Sequence, residues 1–277
     1  ASRRQRVWPA GVEGCIIDLA RPESINEACR GIDAIVNLIA MPERQCRLDP
    51  QVALRVNAGG ALAIASAATA MDIGRFVQVS TCKVYGNTLA GTITEETRTE
   101  PRSHYAITHR MAEEYVRWQC PDSVVFRLAN AFGAPADADV DCWDLIVNEM
   151  CRQAVLHRRI TIRGSGRGWR SFVPMGDVIA GIRLGIKQLN AGTYHLGAQG
   201  STRFIGIAER IARVCDQTLG FSPSVVFDTA ANDSADMPLD YRIDKLVAAG
   251  FTPKAAVDDE IRRTLLAVRQ MFSQSPS

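Results

Sequence analysis

The sequence predicts an α/β protein with a doubly wound, mainly parallel sheet. Two observations carry that expectation. Short apolar runs alternate with helical patterns through the first half of the chain, and the runs are too short and too continuous for half-exposed antiparallel strands. Such a rhythm joins strands by right-handed crossovers.

The elements follow in order. Cys15-Ile16-Ile17 reads as a strand ending at Asp18, and 22–29 as a helix with Pro22 at its start and Ser24 and Glu27 at capping-box spacing. Residues 34–39 (Ala-Ile-Val-Asn-Leu-Ile) read as a strand buried on both faces. A long Ala-rich helix is expected over 49–71, a strand over 76–79, a helix over 105–118 and a strand over 124–126. After Gly133 the rhythm changes. Helices are expected over 144–157, 177–189, 203–218, 244–249 and 258–272, with short strands at 160–162, 172–173 and 193–196. A first domain is expected over 1–133, rejoined by 171–200 and 241–250. A smaller domain is assembled from 134–170, 201–240 and 251–277.

Composition narrows the function. The chain has 277 residues, enough to bury a core without staples. Hydrophobic residues are 47% and charged residues 22%, which excludes a disordered chain or a coiled coil. Thirty-two Lys and Arg against 30 Asp and Glu give a net charge of +2, and no electrostatic case for nucleic acid or a membrane surface. The eight cysteines are scattered without a CxxC pair or zinc spacing, so no metal site is expected and free thiols in a reducing cytoplasm are. The longest apolar run, 61–71, is shorter than a membrane span of about 20 residues.

Ligands of parallel sheets bind at the carboxyl ends of the strands. The polar and small residues there are Asp18, then Ala40 and Met41, then Ser80, Thr81 and Cys82, then Asn130. Arg75-Phe76-Val77-Gln78-Val79-Ser80-Thr81-Cys82-Lys83-Val84-Tyr85-Gly86 resembles the strand-and-turn signature of extended short-chain dehydrogenases/reductases, the NAD-dependent epimerase/dehydratase family. Asp18-Leu19, 33–40, Asn57-Ala-Gly-Gly60, Tyr105-Ala-Ile-Thr-His109, 127–133, 166–177 and 194–197 resemble further family motifs in the same order.

The resemblance implies a Rossmann-like fold, an NAD(P) cofactor and hydride transfer on a nucleotide-activated sugar. It makes Tyr105 the acid/base and Thr81 its partner at the substrate oxygen. Asp18, Leu19, Leu38, Ile39, Ala40, Asn57, Ser80, Tyr105, His109 and Leu128 would line the cofactor, and Thr81, Cys82, Asn130 and Arg170 the small-molecule substrate. It also implies a homodimer through the helices at 49–71 and 105–118. Trp143 and Asn148 are candidate pocket residues.

Three departures bear on activity. The family's opening strand, glycine-rich turn, helix and second strand have no counterpart: Gly11 and Gly14 do not follow a strand. The expectation is a chain lacking roughly 40 N-terminal residues of such a fold, or a truncated relative. Arg3 and Arg4 stand near the cofactor-choosing position, where Arg favours a 2′-phosphate, and a solvated basic start is the other reading. Second, the family pattern YxxxK becomes YxxxH. In the family the Lys holds the ribose and its charge lowers the Tyr pKa, whereas a free His of pKa about 6.5 is mostly neutral near pH 7. His109 therefore substitutes for Lys with altered pH dependence, marks weak or lost catalysis, or points elsewhere as a plain helical residue. Third, in the dehydratase branch an Asp-Glu pair follows the Thr. Cys82-Lys83 stands there instead, which argues for epimerisation or oxidoreduction. Asp233, near a position that carries Arg in many epimerases, disfavours a standard diphosphate pose. The competing class is a non-catalytic relative that keeps the fold as a binding or scaffold protein.

Overall fold

The computed structural model describes residues 1–2, 8–137, 140–228 and 237–272. Arg3, Arg4, Asp233 and Asp236, singled out above or adjoining those positions, lie outside the described residues. The elements in chain order are α1 (Pro22–Cys29), β1 (Ala34–Asn37), α2 (Glu43–Leu48), α3 (Pro50–Ala53), a π-helical turn (Leu54–Gly59), α4 (Gly60–Ala70), β2 (Arg75–Thr81), a 3₁₀ turn (Cys82–Tyr85), β3 (Gly91–Ile93), α5 (His104–Gln119), β4 (Val124–Leu128) and β5 (Asn130–Phe132). Then come α6 (Ile146–His157), β6 (Arg159–Arg163), β7 (Trp169–Arg170), β8 (Phe172–Pro174), α7 (Met175–Lys187), β9 (Gly192–Leu196), β10 (Thr202–Arg203), α8 (Phe204–Leu219), β11 (Ser224–Asp228), β12 (Leu239–Tyr241), α9 (Asp244–Ala248) and α10 (Val257–Phe272).

The chain forms two compact units. The first comprises 1–87, 98–127 and 184–194, the second 88–97, 128–183 and 195–277. The main sheet has the order β1-β2-β4-β9, with β1 and β2 parallel from Ala34 opposite Arg75 to Asn37 opposite Gln78. In the first unit α1, α4 and α5 pack Ile25, Cys29, Ile64, Ala65, Ala68, Ala112 and Val116 against Ile35 and Phe76. Small side chains let these helices lie close, and burial of the apolar face is the main source of their stability. The second unit has its own core, in which Val147, Met150 and Cys151 of α6 meet Ile207 and Ile211 of α8 and Ile261 and Leu265 of α10.

Several expected elements differ. Cys15–Ile17 is no strand: Ile16 makes one isolated bridge to Ser2. The capping box at Ser24 is not formed. Ser24 Oγ instead donates to the Arg21 and Asp18 carbonyls and receives the Asp18 N–H, tying the preceding turn to the helix. The strand at 34–39 stops at Asn37, and its faces are not equally covered: Ile35 is buried while Leu38 is 64% exposed. Asn37 ends it by turning its side chain to Gln78 Oε1 at 2.8 Å and to the Ile39 N–H at 3.1 Å. The helix at 49–71 is broken by the π-helical turn, with Asp49 capping its first turn through the Val52 N–H. Together Pro50–Ala70 is 21 residues, long and apolar enough by composition to cross a membrane, contrary to the shorter run read from sequence. Half of it is buried, and Ala61, Ile64, Ala65 and Ala68 are core residues of the first unit. The short strands β3, β5 and β12 carry too few apolar residues to be expected from sequence, and β11, with Val225-Val226-Phe227, is a further strand that the expectations lack.

Candidate active site

The site is built on the first unit, from the end of β2, the start of α5 and the chain after β1. β2 carries buried Ser80 and Thr81 to its carboxyl end. Thr81 Oγ1 accepts the Lys83 N–H at 3.2 Å and so caps the 3₁₀ turn. Gly86 ends that turn at φ +132°, a conformation that favours glycine over any residue with a Cβ. Ser103 caps α5 by accepting the Ala106 N–H, which fixes the register of His104, Tyr105 and His109.

The Thr81 side chain acts on the Tyr105 hydroxyl from the end of β2. Burial pushes the Tyr105 phenol well above its ordinary range, Cys82 and Glu43 add to this, and the Thr81 side chain pulls the other way. One turn on, the His109 ring meets the Tyr105 ring edge-on at 4.4 Å between centroids. His109 is 4% exposed, and among the described residues neither ring nitrogen has a hydrogen-bond partner. Burial lowers its pKa to about 4, against a smaller opposing effect of Glu113, so the imidazole is neutral. A neutral imidazole offers one N–H and one lone pair, the complement of a ribose hydroxyl. Both nitrogens are sealed from solvent. These orphaned atoms beside Tyr105 fit a cofactor hydroxyl.

A cation also reaches Tyr105. Lys83 Nζ stands 5.9 Å from the Tyr105 ring centroid and is ion-paired with Glu43, the first residue of α2. Cys82 and Cys46 are near enough to the phenol to act on its charge, and burial holds the Cys46 thiol above its ordinary value. Asn57, inside the π-helical turn, is 2% exposed. It accepts the Met41 N–H at 2.7 Å and donates to Thr108 Oγ1 at 2.9 Å, locking the segment after β1 onto α5. π-Turns of this kind are frequent at functional sites.

Beneath His109 lies a network that was not foreseen. Glu113 is fully buried and receives Ser80 Oγ at 2.6 Å and the Arg127 Nε and Nη2 at 3.1 and 2.8 Å. Arg117 and Arg110 reach the same carboxylate at 3.3 and 3.4 Å. Arg127 also donates to Tyr85 Oη at 2.7 Å and stacks on that ring. Burial raises the Glu113 carboxyl, but the Arg127 bonds outweigh it and leave it below the ordinary carboxylate range. One signal could have found it: positions 105, 109 and 113 share a helix face.

The structure thus brings together Thr81, Cys82, Tyr105, His109 and Asn57. The Ser80 hydroxyl faces Glu113 in the core. Asp18 forms an exposed turn, accepting the Ala20 N–H and pairing with Arg21, and Leu19 packs over Gly60, whose Cβ position is 2.9 Å from a Leu19 methyl. Leu38 and Ala40 are on the surface to different degrees, and Ile39 packs on the first unit's core. Leu128 is half-buried at the end of β4. In the second unit, the Asn130 amide donates to the Ser171 carbonyl at 3.1 Å. Arg170 donates to the Trp169 carbonyl and lies over the Phe204 ring. Asn148, a pocket candidate, is fully buried and holds both backbone groups of Gly133, and Trp143 packs edge-on against Phe272.

Comparison with known proteins shows the family and the fold. The family model described as the NAD-dependent epimerase/dehydratase family matches residues 1–197. The chain is 25% identical over 255 residues to a dTDP-glucose 4,6-dehydratase of Streptomyces niveus, covering 90% of this chain and 73% of that protein. It is 24% identical to the human dTDP-D-glucose 4,6-dehydratase, covering 78% of this chain and 63% of that one. In fold it is similar to the UDP-glucose 4-epimerase of Thermus thermophilus, solved with NAD, with a TM-score of 0.79, 22% identity and coverage of 95% and 86% of the two chains. The matched span contains β1, β2, α5 and β4, which carry the site, and the chain belongs to the NAD-dependent epimerase/dehydratase family.

Proposed function

We propose that the chain is an NAD(P)-dependent epimerase or oxidoreductase acting on a nucleotide-activated sugar. The observation that carries this reading is the Tyr105 ring set edge-on at 4.4 Å against an unpartnered, neutral His109, at the strand end that carries Thr81. The nicotinamide, when bound, supplies hydride exchange with a sugar carbon. Tyr105 moves the proton at the sugar oxygen and Thr81 orients that oxygen. The His109 ring holds a ribose hydroxyl, while the segments around Asp18 and Leu38–Ala40, with Leu128, enclose the cofactor. Asn130 and Arg170 meet the nucleotide, and Cys82 lies at the sugar. The curated relatives are named as dehydratases. Cys82 and Lys83, standing where the resemblance expects an Asp-Glu pair, favour epimerisation or oxidoreduction over elimination here.

The test pairs calorimetric titration of NAD and NADP with turnover of a sugar-nucleotide panel by the wild type and Tyr105→Phe. The expected result is cofactor binding by both proteins and loss of at least about a hundredfold in turnover by the variant, since positioned proton transfer contributes about 10²–10⁴. Retained turnover in the variant would remove Tyr105 from the chemistry. A second reading, a non-catalytic relative, is favoured by the raised Tyr105 phenol. Absence of cofactor binding by the folded wild type would leave that reading standing.

A further inference from the structure

A half-buried phenol that must give and take a proton near neutral pH needs a cation to hold its ionised form. α5 does not supply one at position 109, where the imidazole is enclosed and without a partner. The turn after β2 brings one instead. Lys83 Nζ approaches the Tyr105 ring to 5.9 Å, within the range of cation–π attraction, which strengthens when the ring becomes a phenolate. Two restraints hold it there. The Lys83 N–H is bonded to Thr81 Oγ1 at 3.2 Å, so the lysine is tied to the strand end that faces Tyr105. Its ammonium is ion-paired with Glu43, at the head of the short helix that follows β1.

We propose that Lys83, steered by Glu43, is the cationic positioning residue for the Tyr105 phenol, delivered from the strand end and not from the helix. This rests on the reading that Tyr105 is the acid/base. Glu43 has a double effect: it fixes the ammonium and offsets part of its charge. Both side chains are nearly half exposed, so the pair contributes little to stability and its role is electrostatic. The groups that face the phenol are Thr81, Cys82 and Lys83 from the β2 end, Glu43 and Cys46 from α2, and His109 from α5, with Glu113 behind it. Of these, Lys83 is the one that carries positive charge at neutral pH.

The experiment reads the phenol directly. The five tyrosines are replaced biosynthetically by a fluorinated tyrosine, whose lower intrinsic pKa brings ionisation into a range where the fold survives. The Tyr105 resonance is assigned from Tyr105→Phe and titrated by ¹⁹F NMR in the wild type, Lys83→Met, Lys83→Arg and Glu43→Gln. Lys83→Met should raise the Tyr105 midpoint by about one pH unit, from Coulomb attraction at this distance partly offset by Glu43. Glu43→Gln should lower it, because loss of the carboxylate charge beside the phenol outweighs the looser hold on the ammonium, and Lys83→Arg should stay near the wild type. Unmoved midpoints in Lys83→Met and Glu43→Gln, or shifts of the same sign in both, would overturn the proposal. If Lys83→Met fails to fold, Glu43→Gln carries the test with the opposite sign. The readout needs neither cofactor nor substrate, so it separates the two ideas. Unmoved midpoints with an essential Tyr105 sink this proposal alone, and the expected shifts with a dispensable Tyr105 sink the functional reading alone.

Discussion

His109 and Glu113 are one turn apart on the same face of α5, and both are buried. Glu113 is surrounded by donors: Ser80, Arg110, Arg117 and Arg127. His109 has no hydrogen-bond partner at all among the described residues. An unpaired buried polar group costs about 1–3 kcal/mol, a cost that folding alone gives no reason to keep. A single turn of one helix thus separates a region organised for stability from one left unsatisfied beside Tyr105. The contrast is itself an argument that the unsatisfied end is reserved for a ligand.

The sharpest way to break the comparison is to remove the satisfied side. Glu113→Ala leaves Arg127, 4% exposed, without its carboxylate. Stripping one partner from a buried pair costs about 3–5 kcal/mol. Denaturant unfolding at pH 7 should show that loss. A change under about 1 kcal/mol, the size expected of an exposed pair, would mean that this end of α5 is not organised for stability. The Glu113 pKa is lowered by folding, so its contribution is complete above the unfolded carboxylate pKa. It is lost as pH falls through the lower folded value.

The unsatisfied side has the next largest effect, and it appears in acid. The unfolded His109 binds a proton below its ordinary pKa of 6.5, while the folded one does so near 4. Between those values the unfolded state holds more protons, so stability falls as pH drops, by about 3 kcal/mol for a shift of this size. His109→Phe keeps a ring against Tyr105 and abolishes that proton uptake. Its unfolding free energy should match or exceed the wild type at pH 7 and fall less steeply as the pH drops from the unfolded to the folded value. Parallel pH profiles for the two proteins would show that His109 is not held neutral.

Much of this was legible in the sequence, for physical reasons. Pro22 set the start of α1, and the bounds 22–29 agree with the structure because proline fixes its own φ at the first helical position. Tyr105 and His109 were placed on one face by their spacing, and Thr81 by its position at a strand end. What the sequence hid was long-range pairing. Glu113 finds Arg127 across a strand–helix contact, and Asn57 joins Met41 to Thr108 over separations of 16 and 51 residues, which no local pattern encodes. Glu43 was invisible for the same reason, since its tie to Lys83 spans 40 residues. The short strands β3 and β12, paired in parallel through Gly91 opposite Leu239, carry too few apolar residues to announce themselves.

The smallest effect sharpens the boundary between the two regions. Ser80 precedes Thr81 on β2, and the resemblance places it at the cofactor. Its hydroxyl donates to Glu113 Oε1 at 2.6 Å and the residue is 3% exposed, on the opposite side of the alternating strand from Thr81. Ser80→Ala removes one hydrogen bond to a charged acceptor that keeps its guanidinium partners. The expected loss is about 1.5 kcal/mol of unfolding free energy, with unchanged affinity for NAD or NADP by calorimetry. Were affinity to fall while stability held, Ser80 would belong with Tyr105 and His109, and the division along α5 would not extend to the strand beneath it.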